Sequence, residues 1–204
     1  MAVEDFLNER ENSFLLFIPA QDSSILIAAP HHAPLGVQQL PCPSHNSSDE
    51  NTGWIAYHLA CMLKAPCLIA GNYFLDPNKH KSSDYYKKIE ELQPKVLVEI
   101  HGHGGHSAHY DIEISCGSRA KNSFSQKMAT LLTNAFTSHP FLQSLSISGD
   151  FEEIYFRATK SLTINTNEWL AFHLELPQTV RENEEYYLAF CSELAKVVSK
   201  FVHM

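Results

Sequence analysis

Apolar positions along this chain fall into short uninterrupted runs that alternate with longer stretches of helical period. Residues 14–20 and 24–29 are runs of the first kind, joined by a polar Gln21-Asp22 turn, and their length predicts strands. Residues 67–70 and 96–100 repeat the pattern, and 169–176 closes the series. Residues 110–115 alternate instead, with Ile112 and Ile114 on one face and Asp111 and Glu113 on the other. Between these runs, Trp54, Ile55, Leu59, Met62 and Leu63 share one helical face, and residues 83–92 form a short helix stopped before Pro94. Phe124, Met128, Leu131, Leu132, Ala135 and Phe136 recur about every 3.6 residues. A helix closes the chain through Tyr187, Phe190, Leu194, Val197, Val198 and Phe201. Prolines at 30, 34, 41 and 43 exclude a helix from the polar segment 31–51 and predict a long ordered loop.

Strands that interleave with helices predict an α/β fold, a three-layer α/β/α sandwich around a mixed, mostly parallel sheet. Neither a repeat nor a composition break divides the 204 residues, so one domain spanning 1–204 is expected. In open sheets of this kind ligands sit beyond the carboxyl ends of strands, so candidate chemistry belongs just after a strand.

Composition narrows the partners. Fifteen Lys and Arg against 23 Asp and Glu leave a net charge of −8, which gives no electrostatic reason to bind nucleic acid or anionic membrane. A small-molecule or peptide substrate is the expected partner. The acidic start Met1-Ala2-Val3-Glu4-Asp5 does not read as a secretory leader. Five cysteines without a CxxC pair predict free thiols in a reducing, cytoplasmic setting. Cys116, in Ser115-Cys116-Gly117, reads as a small buried thiol rather than a nucleophile, because no activating base is paired with it in sequence.

Twelve histidines are unusual, and several follow strands. The run at 24–29 ends in Pro30-His31-His32, and that at 96–100 ends in His101-Gly102-His103-Gly104-Gly105-His106. The strand at 169–176 holds His173 and Glu175. Two imidazoles and one carboxylate are a common zinc set that leaves a fourth position open. A carboxylate between Leu174 and Leu176 in an apolar strand needs a charged partner or a polar site. The glycines after His101 do not read as a phosphate loop, since no Gly-Lys-Ser/Thr follows. His58 reads as a packed helix residue, and His45, His80, His139 and His203 as solvated. His106 and His109 rim a pocket or order their loop, and His173 is a candidate support for Glu175.

The order of these motifs resembles the zinc carboxypeptidase clan, in particular N-formylglutamate amidohydrolase and aspartoacylase. The resemblance rests on His31-His32, on Asp49-Glu50-Asn51-Thr52-Gly53, on Asp76-Pro77-Asn78-Lys79, on Glu99-Ile100-His101-Gly102-His103 and on Glu175-Leu176-Pro177. It implies a zinc ion held by His31 or His32, Glu50 and His101, with Asp49 the rival of Glu50. It implies Glu175 as the general base, and Asn78, Lys79, His103, Arg119 and Arg181 as substrate contacts, with Arg157 a further candidate clamp. Lys79 stands where the clan carries arginine, and lysine lacks the planar fork that grips a carboxylate. The activity implied is zinc-dependent, carboxypeptidase-like hydrolysis of an amide in a small N-acyl amino acid or peptide end. The alternative is a non-catalytic metal- or ligand-binding domain that retains the hydrolase fold.

Overall fold

The structure is a computed structural model that describes residues 2–21 and 24–202. Eight strands form one sheet: β1 (Phe14–Ile18), β2 (Ile25–Ala33), β3 (Asp49–Glu50), β4 (Cys67–Gly71), β5 (Val96–His103), β6 (Ile112–Ser115), β7 (Ile147–Ser148) and β8 (Leu170–Pro177). They run in the order β1-β4-β2-β5-β8-β6-β7, with β3 added to the end of β2. Pairing is parallel except at β1–β4 and β6–β8, so the sheet is mixed and mostly parallel, as expected. Asp22, in the anticipated turn after β1, and His203 lie outside the described residues.

Helices α1 (Val3–Leu7), α2 (Thr52–Leu63), α3 (Asp84–Leu92), α4 (Asn122–Phe136), α5 (Gln178–Glu182) and α6 (Glu184–Val198) complete the fold. Side chains alternate along the buried strands, so each strand feeds two cores. Ile27, Val98, Phe172 and Leu174 pack with α2, α4 and α6 on one face. Leu26, Leu97 and Ala171 pack with Tyr85 and Ile89 of α3 and with Ile164 and Trp169 on the other. This is the three-layer sandwich. Ser83 caps α3 by accepting from the Tyr86 amide, and Asn183 caps α6 by accepting from that of Tyr186.

One irregularity decides the site. Ala29 pairs with Ile69 and His32 with Gly71, so three steps along β2 oppose two along β4. The extra residue is a bulge, and it reverses the facing of everything after it. His32 thereby turns toward α2, where its Nδ1 accepts from the Gly53 amide at 3.0 Å and its Nε2 donates to Leu7 O at 3.0 Å. Burial pushes this ring down to a pKa of about 4, so it stays neutral. Gly53 is required by the contact, since a Cβ there would lie 2.6 Å from His32 Cγ. His31 is left facing the opposite side of the sheet.

Candidate metal centre and cleft

Because β2, β5 and β8 are mutually parallel neighbours, their carboxyl ends share one edge of the sheet. His101 pairs in register with Glu175 and Glu99 with His173, which places four polar side chains side by side on the α3 face. His31 joins them from β2, its ring centroid 5.1 Å from that of His101.

Asp49 is the hub. Its Oδ2 lies 3.0 Å from His101 Nδ1 and 3.3 Å from His31 Nδ1, all three residues being buried. The opposite nitrogens are also engaged: His31 Nε2 meets Asp76 Oδ1 at 3.1 Å, and His101 Nε2 meets Glu99 Oε2 at 3.3 Å. Glu99 is itself held by the Tyr85 hydroxyl at 2.9 Å and by Asn78 Nδ2 at 3.2 Å. Acidic partners on Nε2 fix each imidazole with that nitrogen protonated and its Nδ1 lone pair turned to the centre. Two such lone pairs aimed at one carboxylate oxygen repel it unless positive charge lies among them. Burial disfavours charge on His101 and His31, yet hydrogen bonds to Asp49 and to Glu99 or Asp76 overturn this and raise both, His101 to about 10. Burial likewise opposes the Asp49 charge, but the two imidazoles hold its carboxyl far below the usual range.

A divalent cation meets the same demand as those protons. The observed spacings of 3.0 and 3.3 Å match the roughly 3.3 Å edge of a tetrahedron built on ~2.0–2.1 Å bonds. The donor set of two imidazoles and one carboxylate therefore fits a zinc-type ion.

A pH dependence follows. In metal-free protein His101 keeps its proton up to about pH 10, whereas an unfolded histidine releases it near ~6.5. Its pairing with Asp49 stabilises the fold fully below that lower value and is lost as pH rises through the upper one. Denaturant midpoints measured in chelator are expected to fall between about pH 7 and 10, and saturating zinc is expected to flatten the profile. A midpoint in chelator that stays level over that range would contradict this account.

Of the two candidate carboxylates, it is Asp49 that faces the imidazoles. Asp49 and Glu50 are consecutive in the extended β3, and their carboxylates diverge. Glu50 Oε1 accepts from the Gly36 amide at 2.6 Å, away from the imidazoles. Arg181 is buried and donates to the carbonyls of Leu176, His103 and Glu50, so it ties strand ends together and is not a free clamp. A Cβ at Gly102 would sit 2.5 Å from its Nε. Arg119 is exposed and paired with Glu152. His103 bridges its own loop, meeting Asp111 O at 2.9 Å and accepting from the Gly105 amide. Arg157 is engaged by the carbonyls of Ile154 and Glu152. His45, expected to be solvated, stacks on His31 at 3.8 Å and 18°. Burial pushes the Cys116 thiol up to about 12, in keeping with an inert side chain.

Beside the cluster opens a cleft of about 540 Å³ with Glu175, His173, His101 and Asn78 on its floor. Lys79, Tyr155, Phe156 and Lys160 also line it. Lys79 Nζ contacts Asp76 at 2.6 Å. Buried polar atoms without partners gather here: Glu175 Oε2, His173 Nδ1, Asn78 Oδ1 and His45 Nε2. Such atoms are costly unless a ligand or water meets them. Burial, reinforced by the Asp49 charge, raises Glu175 to about 8. Burial and the neighbouring His101 cation keep His173 neutral.

No protein family and no curated protein matches this sequence. Solved structures do. The catalytic domain of CwlV, an N-acetylmuramoyl-L-alanine amidase from Paenibacillus polymyxa var. colistinus, superposes with a TM-score of 0.58 at 16% identity, over 88% of this chain and 98% of that one. A bacteriophage poly-gamma-glutamate hydrolase gives 0.59 at 12%, over 98% and 94%. An N-acetylmuramoyl-L-alanine amidase of Nostoc punctiforme gives 0.53 at 10%, over 88% and 97%. These neighbours correct the resemblance to the formylglutamate and aspartoacylase clan, because the repeated match is to muramoyl-alanine amidases, a different family. An ordered set of strand-end motifs follows from sheet topology, and unrelated chemistries can share it. The chain has the fold of the N-acetylmuramoyl-L-alanine amidase catalytic domains.

Proposed function

We propose that this protein is a zinc-dependent hydrolase of an amide whose nitrogen belongs to an amino acid, as in an N-acyl amino acid or a peptide end. The observation that carries the reading is the convergence of His31 Nδ1, His101 Nδ1 and Asp49 Oδ2 beside a buried, unpartnered Glu175 Oε2. His31, Asp49 and His101 would hold the ion, and when bound it supplies Lewis acidity toward water and an amide carbonyl. Asp76 and Glu99 orient the two imidazoles. Glu175 takes a proton from the attacking water. The water oxygen first bonds to the carbonyl carbon; the carbon–nitrogen bond then breaks as Glu175 returns the proton to the leaving nitrogen, giving acid and amine. In the metal-free chain burial raises the Glu175 carboxyl, which favours its taking up a proton. Lys79 and Lys160 supply positive charge on the cleft flank for a substrate carboxylate, against a chain of net charge −8.

The neighbours named for muramoyl-alanine and poly-gamma-glutamate substrates both act on amides of amino-acid nitrogens, which supports this choice of bond. The test is hydrolysis of N-acetyl-L-alanine and γ-L-glutamyl-L-glutamate by protein purified without an affinity tag. Turnover lost in chelator and restored by stoichiometric zinc is the expected result. Zinc bound at one per chain without turnover of either compound would favour the non-catalytic binding domain instead.

A further inference from the structure

Glu113 lies outside the metal cluster and takes no part in the chemistry just described, yet it is fully buried on β6, in register with Glu175 of β8. Its Oε1 accepts from the amide of His109 at 2.7 Å and, more weakly, from that of Tyr110 at 3.4 Å. Its Oε2 accepts from the amides of Tyr155 and Phe156 at 2.9 and 2.8 Å. Among the described residues no lysine or arginine pairs with it. A buried carboxylate is costly unless hydrogen-bonded, and here backbone amides alone meet that cost. Those amides come from two segments that have no strand or helix of their own, the one after β5 and the one between β7 and β8.

The second of these segments lines the cleft, and the first is tied to it. Tyr155 and Phe156 form its aromatic flank, and Phe156 stacks on His103 at 5.8 Å. His109 and Tyr110 reach back to Glu153 through the ring nitrogen and the hydroxyl, so the two segments are bound to each other as well as to Glu113. Without the carboxylate, four amides next to the flank would lose their acceptor.

We infer that Glu113 is a positioning residue for substrate binding: it fixes Tyr155 and Phe156 in the lining of the cleft and so sets how tightly the cleft holds its substrate. The inference rests on the hydrolase reading, and its test separates the two. Glu113→Gln keeps size but turns an NH2 group toward two of the four amides, which leaves them without an acceptor. In the zinc-loaded full chain, with N-acetyl-L-alanine and γ-L-glutamyl-L-glutamate as substrates, KM is expected to rise about tenfold or more. The expected kcat stays within about threefold and zinc content is unchanged, the pattern of lost ground-state binding. Hydrogen exchange at the Tyr155 and Phe156 amides is expected to accelerate by at least about tenfold. Should Glu113→Gln fail to fold, the double substitution Tyr155→Ala, Phe156→Ala leaves the carboxylate and its backbone bonds in place and must raise KM alone. An unchanged KM in whichever variant folds, or a fall in kcat and zinc together, overturns the inference and leaves the hydrolase reading intact. A wild-type chain that hydrolyses neither compound overturns the hydrolase reading and this inference with it.

Discussion

Glu175→Gln is expected to reduce turnover by about 10²–10⁴-fold while zinc content and unfolding temperature stay at wild-type values. The substitution preserves shape and removes only the ability to accept and return a proton. Glu175 is buried, and its Oε2 meets no protein donor, so the amide should be accommodated without displacing a structural bond. Burial and the Asp49 charge already raise this carboxyl to about 8 in the metal-free chain, so a neutral amide in its place is not expected to lower the unfolding temperature. The wild-type rate should rise with pH as Glu175 ionises, and the variant's residual rate should lack that rise. Turnover within about fivefold of wild type would remove Glu175 from the mechanism.

The second large effect separates two adjacent acids. Asp49→Asn is expected to lower zinc affinity by more than ~100-fold, beyond the range seen when only an outer partner of a ligand is lost. Glu50→Gln is expected to leave it unchanged. Asp49 Oδ2 is shared by both imidazoles, whereas Glu50 Oε1 accepts from the Gly36 amide on the far side of β3. In metal-free protein Asp49→Asn also leaves two buried imidazoles without their common counter-charge, a loss on the order of 3–5 kcal/mol. Metal titration of the two variants side by side is decisive: a weakened Glu50→Gln beside an intact Asp49→Asn would reverse the assignment.

The sheet was legible because its strands are buried on both faces and so read as apolar runs, and because helices of clear 3.6 period lie between them. Because parallel strands end together, the sequence alone places His31-His32, His101 and Glu175 at one edge. Local facing was beyond its reach. Periodicity counted from Ala29 gives the wrong parity at the histidine pair, because the bulge adds a residue that no composition signal marks. Likewise β3 is two residues long at the end of a proline-rich segment, too short for alternation to choose between Asp49 and Glu50. Glu99 could have been found. It sits between Val98 and Ile100 in an apolar strand, the same anomaly that singled out Glu175, and its orienting of His101 answers it. The aromatic flank of the cleft left no trace in the pattern, since the backbone at Tyr155 and Phe156 is held by a carboxylate far away in the sequence.

The extra residue in β2 carries a lesson for comparing this chain with relatives. Deleting one position there would hand the inward-facing role from His31 to its neighbour and leave Gly53 opposite a different side chain. Two consecutive histidines thus act as a vernier: a slip of one position in the frame of the strand still presents an imidazole to the centre. An alignment built on residue identity alone would misplace the inward-facing histidine by one position in a chain without the extra residue.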